Sequence, residues 1–540
     1  MRLLLSFVRE TGQEIARNRI SRRRLLRNGA AATLALGVGI GLNDRSPSRF
    51  QASASASAHS SAQSSALEDL RTRLTGTVML PGDSGYAAAS APANGRYRSI
   101  LPAAVARCAT EADVVTCITW CNENGVSPVG RGGGHSYAGF STTTGLLIDL
   151  RRLNSVQIDQ KKGTVVSGGA ALNSDYFIAL ENGPLFLPGG TCFAVGMGGL
   201  TLGGGIGYNA HWAGLTCDHL QASRIVTSSG EILDIDPTTN NDLYWACRGG
   251  AVGSFGINTS FTYDLVEVPQ SKIVFYRYEW RGADAAAAVL STFDRMLQTA
   301  PAALNAVAMA QASEIGSGGP REAIDVMSRG VYIGPIDELR EILAPLLAIP
   351  GATLKTLEEM TFWDVQRLID TEETAQHSFG DLSRYAKEPL PERAVAKVVD
   401  LLAACSSRSA DANGSFWSLG WVGGEVIGSF SRTETAYVHR DALTLLRPTT
   451  VWPDDAPTSV GDELNAWTAE VIAAITPFTP DESYQNFPNL SLKNWDQQYY
   501  AENFDRLVDV KTKYDPANLF NNPQSIPTRD LIAPDATPVT

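Results

Sequence analysis

The chain has 540 residues, 44% hydrophobic and 19% charged, an ordinary globular composition that at this length suggests two or three domains. Its formal net charge is −13, yet residues 1 to 50 hold ten Arg, no Lys and three acids, a surplus of +7 that leaves −20 on the remainder. Phosphate backbones and anionic lipid surfaces repel a body of that sign, and no basic stripe interleaved with aromatics offsets it, so nucleic acid is not expected as a partner.

In chain order, "SRRRLLR" (21 to 27) comes first, followed by the apolar run "AAATLALGVGIGL" (30 to 42). Such a run is too short to span roughly 30 Å of hydrocarbon as a helix, but it suits a signal-peptide core. The pair Arg22-Arg23, with Leu25-Leu26 and Arg27 behind it, resembles a twin-arginine export signal. An exposed amphipathic helix is the alternative, and the unbroken apolar run argues against it. The Ser/Ala-rich tract 51 to 66 has too little apolar bulk to fold and is expected to contain the cleavage site. Residues 1–66 are thus read as signal peptide and linker. The mature chain is expected to be periplasmic or secreted, without membrane attachment, after passing through the twin-arginine machinery. That route carries folded proteins, often with a cofactor already loaded.

From 97 to 265, helices alternate with short apolar strands. "RSILPAAVARC" reads as extended chain, residues 111 to 124 as a helix, and "GLLIDLRRLNSVQID" and "GTVVSGGA" as successive strands. "LNSDYFIALENG" is expected to be a helix capped at Gly183, and "QASRIVTSSGEILDI" a hairpin around Ser229-Gly230. Cys117 and Cys121 share one face of the helix 111 to 124, with no histidine near enough to complete a metal set, so they read as core. Seven cysteines is an odd number for an exported chain, so at least one thiol lies outside any intramolecular disulfide. Beyond 270, strands such as "KIVFYRYEW" and "EVIGSF" alternate with amphipathic helices such as "ADAAAAVLSTFDRMLQ" and "IDELREILAPLL". The fold class is α+β, the second domain an antiparallel sheet covered by helices.

Four glycine-rich loops fall in the first domain: "GRGGGHS", "GGTCFAVGMGG", "GGGIG" and "RGGAVGSFG". Glycine lets a ligand touch main-chain N–H groups, and successive N–H groups bind anions. Together the loops would cradle a long diphosphate ligand, although "GGGIG" alone more often means tight packing. A dinucleotide fingerprint needs a helix after the first loop, whereas a strand follows "GFSTTTG", so that reading is rejected. The stretches "PVGRGGGHSYAGFSTTTGLLIDL", "LPGGTCFAVGMGGLTLGGGIGYNAHWAGLTCDHL" and "LYWACRGGAVGSFGI" resemble the berberine-bridge-enzyme-like FAD-linked oxidases, of the vanillyl-alcohol-oxidase type of flavin fold. "GGEVIGSFSRTETAYVHR" and "YYAENFDRLVDVKTKYDPANLFNNPQSIP" resemble the same group, so the resemblance covers roughly 97 to 527.

The resemblance implies a PCMH-type FAD-binding domain (97–270), a substrate-binding domain (271–480) and a C-terminal segment (481–527) returning to the first. It implies FAD bound twice covalently, through His135 to the flavin 8α-methyl and through Cys192 to C6. Cys192 fits the family's G-x-C-x-x-V-G, and Cys217 is the rejected alternative. Around the anchors it implies cofactor contacts at Arg131, Gly132, Gly133, Gly134 and Ser136 in the first loop. The same is implied for Gly198, Gly199, Gly203, Gly205 and Tyr208, then Gly256 and Ile257, and finally Asn486.

Alcohol oxidation needs a base to take the O–H proton as hydride leaves carbon. The family's Y-x-N segment supplies Tyr484, with Asn486, and Tyr137 resembles a substrate-facing tyrosine of sugar-oxidising members. A free tyrosine titrates near 10, so a base needs a neighbouring cation or hydrogen bonds to its phenolate. Two departures stand out: Asn489 replaces an acid, and "SFWSLGWV" carries no Glu, Asp or Gln, which suggests a more aromatic pocket lined by Trp417 or Trp421. Val195 matches a position that goes with O₂ access in plant members. The expected activity is oxidation of an alcohol or hemiacetal carbon of a saccharide, with O₂ reduced to H₂O₂. A tailoring oxidation of a natural product is the rival, and a non-catalytic flavin-binding protein the third reading.

Overall fold

The computed structural model describes residues 65–250, 253–269, 272–369, 377–407 and 415–532. The arginine pair, the apolar run and nearly all of the Ser/Ala tract lie outside the described residues. No described helix is long and apolar enough to cross a membrane.

Two sheets make the first half. Strands Thr77–Met79, Ala104–Arg107, Leu146–Asp149 and Pro128–Arg131 form one in that order, the last three mutually parallel. The helix Glu111–Asn124 covers it. Thr110 caps that helix by accepting from the Asp113 N–H, Asp113 answers on the cap backbone, and Gly125 ends it at φ 62°. Cys117, Trp120 and Cys121 are buried beneath it, so the core reading of the two cysteines holds. The other sheet is antiparallel, ordered Val156–Asp159, Thr164–Gly168, Ile257–Asp264, Leu220–Val226, Ile232–Ile235. The expected hairpin turns at Gly230, φ 81°.

The second half is an eight-stranded antiparallel sheet. Its order runs Thr353–Met360, Ile273–Arg281, Ile324–Ile333, Leu304–Ala312, Phe416–Trp421, Thr444–Pro453, His377–Asp381, and Arg384–Ala386 also pairs with Thr444–Pro453. Helices Ala283–Met296, Ile336–Leu347, Glu392–Ala404 and Thr458–Ile475 bury one face of it. Period-2 alternation then sends residues such as Phe416, Ser418 and Arg447 to the opposite face. The α+β class is as read.

Two local expectations are corrected. The helix in "LNSDYFIALENG" spans Asn173–Leu180 and stops before Gly183: Glu181 leaves the helical region (ψ 133°) and Asn182, left-handed (φ 62°), turns the chain. Asparagine tolerates that region nearly as glycine does. "EVIGSF" contains no strand: Glu425–Gly428 is a helical turn. The preceding Gly424 (φ 118°) swings the chain away from the sheet, and Ile427 is buried, with Val426 near Gly214. Its apolar run mimicked a strand.

Candidate active site

Residues 132 to 137 leave the end of strand Pro128–Arg131, and Arg131 fixes their course from behind. Its buried guanidinium donates to the carbonyls of Ser141 (2.8 Å), Ala89 (2.7 Å) and Ser90 (2.8 Å). Burial pulls its pKa down to about 10. All that charge is spent on protein carbonyls, so Arg131 shapes the loop and does not offer its side chain to a ligand.

The glycines let this loop touch the one carrying Cys192. A Cβ on Gly133 would stand 2.4 Å from Gly196 N, and one on Gly196 2.5 Å from Gly133 N. No side chain fits between those backbones, so His135 and Cys192, both half-buried, project from loops in van der Waals contact. Gly134 has φ 81°, which turns the chain into His135. The Ser136 hydroxyl accepts from Phe140 N (2.9 Å) and closes the turn beyond. Asn173, which sequence reasoning missed, holds the second loop: its amide donates to Cys192 O (2.8 Å) and accepts from Gly190 N (3.2 Å). Cys217, by contrast, is wholly buried, and burial pushes its thiol far up, as the choice of Cys192 over it requires.

Other expected contacts sort differently. Gly132 lies beside Gly169 O and Gly199 has open space around it. Gly198 packs on Phe261, Gly256 on Val226 O, and the Ile257 side chain against Gly130. Gly203 and Gly205 are reassigned. Asn486 fills the space over Gly203 and Thr216 that over Gly205, while the Gly205 N–H is given to Tyr484. The "GGGIG" loop therefore serves packing. Tyr208 accepts from Arg329 and lies beneath its guanidinium, 5.3 Å from CZ to ring centroid.

Tyr484 is 1% exposed, and its oxygen accepts from Gly205 N (3.0 Å), Ile206 N (3.2 Å) and Asn486 Nδ2 (2.9 Å). Asn486 also donates to Leu200 O (2.9 Å). Burial drives the Tyr484 pKa up to about 12, outweighing the three donors that work the other way. An oxygen so saturated and enclosed has no room for a substrate hydroxyl. Tyr484 pins the C-terminal segment to the 203–206 loop.

Tyr137 has the opposite setting. It is half-buried, flanked by Phe379 (4.8 Å between centroids) and Phe487 (4.9 Å), and its hydroxyl oxygen accepts from Arg447 Nη2 (2.8 Å). Arg447 lies 4.1 Å over the Phe487 ring, and its Nε donates to Asp381 Oδ2 (2.6 Å), which also accepts from Thr449 Oγ1 (2.8 Å). Burial is the largest single influence on the Arg447 pKa and would lower it, but the charge and hydrogen bond of Asp381 together with Tyr137 and Cys192 outweigh it and hold the pKa above its ordinary value. Asp381 is wholly buried, which pushes it up to about 6 against the pull of Arg447. Trp417 is fully buried in the helix-covered core and lines no site; Trp421's side chain is outside what is described. The strand Phe416–Trp421 brings no acid; Asp381, on the strand beyond its neighbour, supplies a carboxylate and Arg447, on the neighbouring strand, a guanidinium, and the two lie 66 positions apart in sequence, which hid them. Asn489 clamps the same region by donating to Asp381 O (2.5 Å).

Comparison with known proteins decides the family. Residues 102–236 match the FAD binding domain family, and residues 483–527 the "Berberine and berberine like" family. The FAD-linked oxidoreductase YgaK of Bacillus subtilis (strain 168) is 32% identical over 471 residues, covering 85% of this chain and 98% of its own. The chain belongs to the berberine-bridge-like FAD-linked oxidoreductases.

Among other members, glucooligosaccharide oxidase of Sarocladium strictum is 29% identical over 451 residues, covering 79% of this chain and 87% of its own. A solved glucooligosaccharide oxidase of Acremonium strictum, described as carrying 6-S-cysteinyl, 8α-N1-histidyl FAD, superposes with a TM-score of 0.76 at 24% identity, covering 86% of this chain and 99% of its own. This berberine-bridge-like protein is thus an oxidoreductase with FAD as its cofactor. The residues present fit that group: two loops that abut at Gly133 and Gly196 carry one nitrogen nucleophile, His135, and one sulfur nucleophile, Cys192.

Proposed function

We propose that this oxidoreductase is an exported oxidase that converts an alcohol or hemiacetal carbon of a saccharide to the carbonyl level and reduces O₂ to H₂O₂. His135 and Cys192 hold FAD covalently, the imidazole at the 8α-methyl and the thiolate at C6. FAD, when bound, supplies the acceptor for the substrate's hydride and passes the electron pair to O₂.

The chain's own part is the proton. Tyr137 takes the substrate O–H proton on its phenolate oxygen, and the Arg447 guanidinium bonded there stabilises that negative charge. Phe379 and Phe487 hold the Tyr137 ring in place and exclude water from one side. The observation that carries the reading is Tyr137, on the same loop as His135, facing a guanidinium instead of the protein core. Glucooligosaccharide oxidase among the relatives supports a saccharide as substrate.

A second reading, oxidation of an aromatic natural product, is favoured by the rings of Phe379, Phe416 and Phe487 around Arg447. Anaerobic mixing of the yellow holoprotein with neutral sugars and with aromatic alcohols separates the two. Bleaching by sugars, followed by one H₂O₂ per turnover in air, is the expected result. Bleaching by aromatic alcohols alone selects the second reading, and no bleaching by either class removes both.

A further inference from the structure

Arg447 and Asp381 form a pair whose geometry goes further than holding a strand edge together. Both stand where the sheet's uncovered face meets the loop of Tyr137, and the guanidinium is shared between one carboxylate and one phenol. Asp381 Oδ2 carries two hydrogen bonds, from Arg447 Nε and Thr449 Oγ1, while its Oδ1 is buried with no partner. A carboxylate kept merely for structure would use both oxygens, because an unpaired buried acceptor costs about 1–3 kcal/mol. The guanidinium is also sandwiched by Phe487 at 4.1 Å, Tyr137 at 5.4 Å and Phe416 at 5.9 Å, which strips water from it and strengthens its field at the Tyr137 oxygen.

We propose that Arg447 and Asp381 are opposed positioning residues that set the ionisation of Tyr137: the guanidinium favours the phenolate, and the carboxylate, holding the guanidinium in plane, tempers that effect. This rests on the reading of Tyr137 as proton acceptor. The charged and titratable groups around Tyr137 are Arg447 from strand Thr444–Pro453, Asp381 from strand His377–Asp381, and, on the two abutting loops, His135 and Cys192. Phe379 and Phe487, the rings packed on it, carry no charge. Asp381 sits beyond Arg447 from the phenol, so its influence reaches Tyr137 mainly through the pose and partial neutralisation of the guanidinium.

Opposed roles predict opposite signs. In Arg447→Gln the phenolate loses its cation. In Asp381→Asn the amide oxygen still accepts from Arg447 Nε and Thr449, the pose is kept, and the guanidinium acts without its counter-charge. The experiment is a pH titration of the tyrosinate ultraviolet band of the holoprotein, with Tyr137→Phe subtracted to isolate one tyrosine of the sixteen. It needs no substrate, so its result stands whether or not any sugar bleaches the flavin. Tyr137 is expected to ionise below the pH near 10 of a free tyrosine. At a fixed pH on its transition, Arg447→Gln should lower the phenolate-to-phenol ratio about tenfold, one unit of displacement. Asp381→Asn should raise it. The pH dependence of kcat/KM should move in the same two directions. Two shifts of the same sign, or a midpoint unmoved in both variants, overturn the proposal.

Discussion

Tyr484, expected from its Y-x-N segment to be the base, and Tyr137, expected to face substrate, occupy opposite settings. A phenol that accepts three N–H donors inside a ring cluster of Phe487, Tyr437 and Tyr385 is a structural fastener. Tyr484→Phe would leave those three donors without an acceptor, each costing about 1–3 kcal/mol. Its melting temperature should therefore drop sharply while the folded fraction keeps its turnover number; Tyr137→Phe should do the reverse, and stopped-flow flavin reduction beside calorimetry reads both. Asp294 gives a pH-dependent counterpart. It is fully buried, accepts from Leu390 N with one oxygen (2.8 Å), and has no partner for the other. Burial raises its pKa from 3.8 to about 6, so the folded state holds this proton more tightly than the unfolded chain. Its stabilising contribution is complete below the unfolded value and disappears as pH rises through about 6. Two units correspond to on the order of 3 kcal/mol, so Asp294→Asn should gain stability relative to the native chain between pH 5 and 8, measured by urea denaturation.

Contact between two loops, more than any single residue, brings the anchors together. Gly133 and Gly196 meet backbone to backbone, and a methyl at either position would collide with main-chain atoms that have nowhere to go. Gly133→Ala should push the His135 and Cys192 loops apart. The expected outcome is protein with one covalent flavin bond or none, seen as loss of flavin mass or fluorescence from the denatured chain; fully attached flavin in the variant would contradict the loop argument. The sequence marked both glycine-rich loops but not their contact with each other; the helix read over 111 to 124 is present, and Thr110, Asp113 and Gly125 cap it. Local signals failed where tertiary context decided. "EVIGSF" has strand-like apolar content but forms a helical turn after Gly424, and the helix before Gly183 ends at Glu181 with Asn182 turning the chain. Asp381 and Arg447 left no trace at all, because their pairing is a register between neighbouring strands and no periodicity records it.

For the whole molecule, the question is how far from the N-terminus the folded core begins. The described residues from 65 onward pack as one compact unit. Its first element, a helix over 65–73, is already part of a core: Leu67 and Leu70 are buried in the cluster of Val114, Ile118 and Trp120. Trp120 Nε1 donates to Ala66 O (2.9 Å), and Asp113 accepts from Thr75 N (2.8 Å) and Gly76 N (3.0 Å) just beyond the helix. Burying two leucines is worth roughly 3–6 kcal/mol, a large part of the 5–15 kcal/mol that typically holds a domain folded. If the chain is cleaved as the sequence expects, a cut that spares this helix leaves the core intact, and one that removes it does not. A chain starting at Gln63 should match the full-length protein in melting temperature and flavin content. One starting at Thr75 should lose several kcal/mol and expose Trp120 to solvent, shifting its fluorescence to the red. If both truncations melt alike, the helix over 65–73 contributes nothing to the core.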